Sequence, residues 1–323
     1  MTCEKMGLKE TGSFTQRHAI ERVLPKESAV SMLIEETAPR DGLQNEARVL
    51  SVQEKIRLIE DLVDCGVPRI QVGSFVNPRA VRQMADTEGV VRGLKRKEGV
   101  VYRALVLNER GLERAAACGV DHVAVFVSAS ETHSLRNSGC DVKEALRRAE
   151  SVVRQAKADG IAVQAGVMNA FGCRFEGSIP ENRVLRLAAL LAEAGADELC
   201  LADTAGCANP RHTERLVEIF LTTFSVPLAL HLHDTFGFGL ANVWAAWKLG
   251  VTRFDGACGG LGGCPFIPEA AGNIPTEDLV HLFHAMGVPT GIDLERLTAV
   301  RGFLETAFQR KLPGRYGRTG CRV

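Results

Sequence analysis

The chain has 323 residues, enough for one large domain or two small ones, and 46% of them are hydrophobic, so a sizeable core can form. Its 39 basic and 39 acidic residues cancel to a formal net charge of zero. That balance argues against a nucleic-acid surface or a polybasic membrane patch, and any anionic ligand must be held locally. The 10 cysteines stand singly, without the CxxC pairs of a structural zinc site. No signal core and no apolar run of about 18 residues is found, so a reducing, cytoplasmic location without a membrane span is expected.

Residues 1–30 show no periodicity and read as an N-terminal extension. The first strand is Ser31–Thr37, followed by a polar, glycine-containing loop, Ala38–Glu46. Ser51 with Glu54 forms a capping box for a helix running to about Cys65. Further strands are expected at 68–72, 101–107, 121–127, 161–167, 197–202, 228–233 and 252–256. Amphipathic helical segments lie around 78–86, 109–118, 141–159, 181–194, 209–223, 238–249 and 276–286, with an additional helix from about Leu294 to Phe308.

Counting Ser31–Thr37, this makes eight βα units, which favour a closed (β/α)8 TIM barrel with an additional C-terminal helix over an open sheet. An open doubly wound sheet would use many of the same units, but neither a GxGxxG after the first strand nor a GxxxxGK[ST] loop is present. Asp86-Thr87-Glu88-Gly89 and Lys95-Arg96-Lys97 read as solvated helix ends. The barrel domain spans 31–311 with its C-terminal helical region, and 312–323 is a tail.

In such a barrel, chemistry gathers at the C-terminal ends of the strands. The first strand leads into Arg40 and Asp41, the second carries Gln71, the sixth ends at Asp203, and the seventh ends at His231-Leu232-His233. Period-two alternation puts the two imidazoles on one face, as a metal ion needs. The region after the eighth strand supplies Gly259-Gly260-Leu261-Gly262-Gly263-Cys264-Pro265 and then Asn273.

Asp41, His231, His233 and Asn273 together offer two nitrogen and two oxygen ligands, suited to Mg²⁺ or Mn²⁺, with Zn²⁺ or Co²⁺ as further choices. The plainer readings are a loop-capping aspartate for Asp41 and a turn residue for Asn273. Arg40 beside the ion could neutralise a developing enolate, or make a salt bridge at the rim. Asp203 could orient a ligand, accept a proton through water, or cap a helix. Cys264, in a glycine-rich loop over the pocket, could deliver a proton.

These stretches resemble the hydroxymethylglutaryl-CoA lyase family, within the TIM-barrel lyases and Claisen condensing enzymes. The resemblance runs from about residue 31 to 311 and rests on Ala38–Glu46, Ser74-Phe75-Val76, Ala202-Asp203-Thr204-Ala205-Gly206, His231–Thr235, Gly260–Phe266 and Gly272-Asn273. It implies that Asp41, His231, His233 and Asn273 bind the metal, that Arg40 stabilises the enolate of departing acetyl-CoA, and that Cys264 transfers a proton. It matches Asp203 to an active-site aspartate.

The implied reaction cleaves 3-hydroxy-3-methylglutaryl-CoA to acetyl-CoA and acetoacetate with Mg²⁺ or Mn²⁺. Lyases of citramalyl-CoA or a longer 3-alkylglutaryl-CoA are the near alternatives. A condensing enzyme is disfavoured because little chain follows the barrel, and an acyl-CoA-binding protein without turnover is the alternative of another class. The family also implies a homo-oligomer, and Cys321-Arg322-Val323 resembles a cysteine-containing tail. One departure stands out: Gln71 replaces the usual glutamate of a Glu-x-x-Ser-Phe setting, keeping the size and removing the titratable carboxylate. Phe171 and Arg174 also stand where leucine and proline are usual.

Overall fold

The computed structural model describes residues 32–262 and 272–318. Eight parallel strands close into a barrel in chain order: β1 (Leu33–Glu36), β2 (Arg69–Ser74), β3 (Val101–Leu105), β4 (His122–Ser128), β5 (Ala162–Met168), β6 (Glu198–Ala202), β7 (Leu228–His231) and β8 (Arg253–Gly256). Each overlaps a strand expected from the sequence. The helices are α1 (Val52–Asp64), α2 (Thr87–Gly93), α3 (Glu109–Ala117), α4 (Glu131–Ser138), α5 (Val142–Ala158), α6 (Glu181–Glu193), α7 (Pro210–Thr223), α8 (Gly239–Trp247), α9 (Thr276–Ala285) and α10 (Leu294–Phe308). Among the described residues no helix is long and apolar enough to cross a membrane.

The local chemistry explains most boundaries. Ser51 Oγ accepts from the Glu54 amide while the Glu54 carboxylate accepts from the Ser51 amide, closing the capping box that starts α1. Along β4, Val123, Val125 and Val127 are buried. They alternate with inward-facing residues, so each strand contributes to both the barrel interior and the layer beneath the helices.

Between β2 and β5 the structure departs from expectation at 78–86 and at α4. The segment 78–86 is not a helix: it holds a single 3-10 turn, Arg82–Met84, because Val76, Ala80 and Val81 line a cavity instead of forming a helical stripe. Asp86–Gly89 is a helix end, as expected, namely the N-terminal end of α2, but one residue of it is not solvated. Asp86 occupies the N-cap position of α2 and pairs with Lys55 Nζ at 2.6 Å, while Thr87 is buried and donates to the Met84 carbonyl at 2.8 Å. Helix α4, absent from the sequence reading, has a mostly polar sequence without an apolar stripe. It is fixed by the Ser130 cap on the His133 amide and by Gly139, whose φ of 68° ends it in the left-handed region.

The N-terminal end of the barrel is filled by charge. Glu198 accepts from Arg69 at 2.7 Å, from Arg103 at 3.3 Å and from Gln164 Nε2 at 2.7 Å, and also from Arg253. Arg103 further pairs with Glu35. Burial pushes the Glu198 carboxyl up, but the Arg103 and Arg69 guanidiniums beside it outweigh that and hold it at about 2.

Replacing Glu198 by glutamine is therefore expected to cost about 3–5 kcal/mol, read as a lower urea midpoint, because buried arginines lose their counter-charge. A depressed carboxylate pKa contributes stability above the unfolded value, near ~4.3, and that contribution is lost as pH falls through the folded value. The gap between wild type and Glu198→Gln should thus shrink on acidification. An equal gap at about pH 7 and about pH 3 would contradict this assignment.

Candidate active site

After β1 the chain turns sharply. The amides of Arg40, Asp41 and Gly42 all donate to the Thr37 carbonyl, at 3.0, 2.8 and 3.2 Å, forming the single π-helical turn Ala38–Gly42 in place of an open loop. This turn presents Arg40 and Asp41 at the C-terminal mouth of the barrel. Gly42 is required by close packing, since a Cβ there would stand 2.9 Å from Leu261 Cβ.

His231 is the last residue of β7, and His233 lies just beyond it in an isolated antiparallel bridge with Asn273. The rings lie 5.1 Å apart, centroid to centroid, and their Nε2 atoms 3.2 Å apart. Asp41 Oδ2 lies 3.9 Å from His231 Nε2 and 4.0 Å from His233 Nε2. The Asp41, His231 and His233 ligand atoms fall within 4.8 Å of one another. Asn273 Nδ2 donates to Asp41 Oδ2 at 2.7 Å and to the Leu261 carbonyl at 3.0 Å.

This donor set fits a divalent cation. Asp255 Oδ2 lies 3.0 Å from His231 Nδ1, and a carboxylate oxygen accepts, so Nδ1 carries the hydrogen and the Nε2 lone pair faces His233 and Asp41. Asn273 Oδ1 is buried with no hydrogen-bond partner among the described residues. A bare amide oxygen and an imidazole lone pair beside a carboxylate are groups that a hard or borderline cation satisfies.

The electrostatics agree. Burial pushes the Asp41 carboxyl up, but Arg40 and the two histidines hold it well below the usual carboxylate range. Burial lowers the His233 imidazole, and the neighbouring His231 adds to this, to about 4. Burial also works against protonation of His231, but the hydrogen bond and charge of Asp255 raise it overall.

Arg40 bridges two groups: Nη1 donates to Asp41 Oδ1 at 2.6 Å and Nε to Gln71 Oε1 at 2.7 Å. Gln71 is fully buried and takes no part in lining the cavity, so its direct contact is with Arg40. Asp203 is likewise buried, with both carboxylate oxygens taken by the Cys207 and Ala208 amides at 2.8 and 3.0 Å, and burial raises its carboxyl to about 6. It holds the loop after β6, where a Cβ on Gly206 would stand 2.2 Å from Thr235 Oγ1 on the histidine loop. Cys264 lies outside the described residues, as does Cys321.

A cavity of about 340 Å³ opens beside this cluster, lined by Arg40, Asp41, His231, His233 and Thr204 and by Leu105, Phe126 and Met168. The sequence reading missed Asp255, the partner of His231. Its signal was present in Phe254-Asp255-Gly256, an acid flanked by apolar and small residues in the middle of a barrel strand.

A closed parallel barrel with two imidazoles, a carboxylate and an arginine at its catalytic mouth defines a metal-dependent barrel enzyme. The family model described as HMGL-like matches residues 31–304. A Chloroflexus aurantiacus (R)-citramalyl-CoA lyase is 42% identical over 301 residues, covering 90% of this chain and 95% of the relative. The crystal structure of Bacillus subtilis HMG-CoA lyase superposes with a TM-score of 0.87 at 39% identity, covering 90% of this chain and 98% of that one. An HMG-CoA lyase from Acinetobacter baumannii, solved with coenzyme A and 3-methylmalate, gives 0.87 at 38% identity over 91% of this chain and 96% of its own. The chain belongs to the HMG-CoA lyase family of metal-dependent carbon–carbon lyases.

His233→Ala is expected to lose bound metal, measured as metal content after desalting, and full occupancy would remove His233 from the ligand set. Asp255→Ala, which deletes only the outer partner of His231, should weaken metal affinity by about 10–100-fold, read by competition with a fluorescent chelator.

Proposed function

We propose that the chain cleaves 3-hydroxy-3-methylglutaryl-CoA to acetyl-CoA and acetoacetate, with Mg²⁺ or Mn²⁺ held by Asp41, His231, His233 and Asn273. The observation that carries this reading is Arg40, fixed by Asp41 and Gln71 beside the three converging ligand atoms. A divalent ion held by these four residues would supply a Lewis acid that lowers the pKa of the tertiary hydroxyl. The hydroxyl proton passes to Asp41, or through water to a histidine. The C2–C3 bond then breaks, its electron pair moving onto C2, the carbon next to the thioester carbonyl, and into that carbonyl as an enolate while the hydroxyl carbon becomes a ketone.

Arg40 faces the resulting enolate oxygen with a charge already oriented, so little reorganisation is needed. Cys264 returns a proton to the enolate carbon and completes acetyl-CoA. Asp203 keeps the loop bearing Thr204 against the histidine loop.

Citramalyl-CoA, which the same cleavage would split into acetyl-CoA and pyruvate, is the second reading. It is favoured by the identity to the Chloroflexus aurantiacus enzyme and by Gln71, whose amide leaves the site one carboxylate poorer. Cleavage of a longer 3-alkylglutaryl-CoA, or binding of acyl-CoA without turnover, are further outcomes of the same assay. A cytoplasmic homo-oligomer belongs to the same proposal, on the singly placed cysteines and on the family resemblance.

A panel of 3-hydroxyacyl-CoA thioesters, assayed for acetyl-CoA release with metal, with chelator and with metal restored, tests the reaction. Release from the 3-hydroxy-3-methylglutaryl thioester should be fastest, abolished by chelator and restored by Mn²⁺. Faster release from citramalyl-CoA transfers the assignment to the second reading. Arg40→Gln should lower kcat by about 10²–10³-fold with metal content unchanged. Cys264→Ser should slow turnover without loss of metal, and wild-type turnover in that variant would remove its acid role.

A further inference from the structure

The cavity descends to a pair of residues that the metal cluster does not use. Phe126 on β4 and Gly166 on β5 face each other as register partners in the barrel wall. A Cβ built on Gly166 would stand 2.1 Å from Phe126 Cε1, 2.3 Å from Cδ1 and 2.9 Å from Cζ. The ring therefore occupies the space where any other side chain at 166 would project. A glycine inside a strand weakens it and marks a close approach by another group; here that group is the phenyl ring.

Apart from the first residue of β4, Phe126 is the one member of that strand that is not buried, while Val125 and Val127 beside it are 1% and 0% exposed. It lines the cavity with Leu105 and Met168, and none of these three carries charge. The charged groups lining the same cavity, Arg40 and Asp41, stand with the two histidines of the metal cluster. A ligand that presents its hydroxyl and carboxylate to that cluster meets, among otherwise polar lining residues such as Asn108 and Ser138, one apolar patch made by Leu105, Phe126 and Met168.

We propose that Phe126, seated on Gly166, is the specificity-determining wall of the site: it receives the alkyl group on the substrate's hydroxyl-bearing carbon, and the missing side chain at 166 sets how far the ring stands back. The wall then discriminates among tertiary hydroxy acids by the size of the third substituent on the hydroxyl-bearing carbon. This deepens the reaction proposed above and rests on it for the thioester part alone. A ring that served only to cover a glycine would affect strand stability and leave ligand preference untouched.

The test uses the metal-loaded protein and three hydroxy diacids that carry the hydroxyl-bearing carbon but no thioester: malate, 2-methylmalate and 2-ethylmalate, titrated calorimetrically. In wild type the alkylated acids should bind about tenfold or more tighter than malate, the value of a methylene in an apolar pocket. Gly166→Ala forces the ring toward the open cavity and should cut the ethyl-to-hydrogen affinity ratio by about tenfold, with malate binding unchanged. Phe126→Leu, which keeps an apolar core residue and frees space, should move the ratio toward 2-ethylmalate, and it carries the test if Gly166→Ala fails to fold.

Equal affinity for the three acids in wild type, or a ratio unmoved in both variants, overturns the wall. Since none of the probes contains a thioester, the outcome is independent of acetyl-CoA release. A protein that cleaved nothing in the thioester panel yet kept this ratio would sink the reaction and leave the wall standing.

Discussion

The pairing of β1 with β8 is the constraint on which the site depends. Leu33–Glu36 runs parallel to Arg253–Gly256, and Thr37 extends the contact with its amide and hydroxyl both donating to the Gly256 carbonyl, at 2.8 and 3.0 Å. Glu36 ties the same seam: its carboxylate accepts from the Ala38 and Cys258 amides at 2.7 and 2.9 Å and from the Thr276 hydroxyl at 2.7 Å. Burial raises that carboxyl to about 7, against the pull of these hydrogen bonds. Closing the barrel here brings Asp41 to Asn273 and to the histidines. An open sheet would leave the β1 turn and the β7–β8 mouth at opposite edges.

Charge is divided between the two ends of the barrel according to purpose. At the N-terminal end, arginines and glutamates neutralise one another in a buried network of ion pairs. At the C-terminal end the unpartnered groups lie beside the Asp41, His231 and His233 cluster. Arg40 is held by Asp41 and Gln71, and His231 by Asp255, while Asn273 Oδ1 keeps no partner among the described residues. Buried polar groups without partners are costly, so the arrangement is most stable with a cation bound. The uncharged amide of Gln71 preserves the grip on Arg40 while lowering the negative charge around it.

The strands, most of the helices and the clustering of Asp41 with His231 and His233 were legible in the sequence because each rests on local or periodic information. Ser51 and Glu54 are three residues apart, His231 and His233 two apart, and strand ends in a barrel all point the same way. The sequence reading failed at 78–86 and at α4 for one reason. Val76, Ala80 and Val81 are apolar because they line a cavity, and Glu131–Ser138 is polar because a capped surface helix needs no stripe. Hydrophobicity reports burial, and burial against a cavity wall is indistinguishable in sequence from burial against a sheet.

Sequence by itself determined the eight βα units, the residue types at the strand ends and the family to which they point. Tertiary structure alone decided that Gln71 touches Arg40, that Asp203 holds a loop by two amides, that Asp255 orients His231, and that Phe126 rests on Gly166. Apart from the Asp203 loop, these partners come from different βα units, and their meeting depends on register and barrel closure, which residue spacing along one chain does not encode.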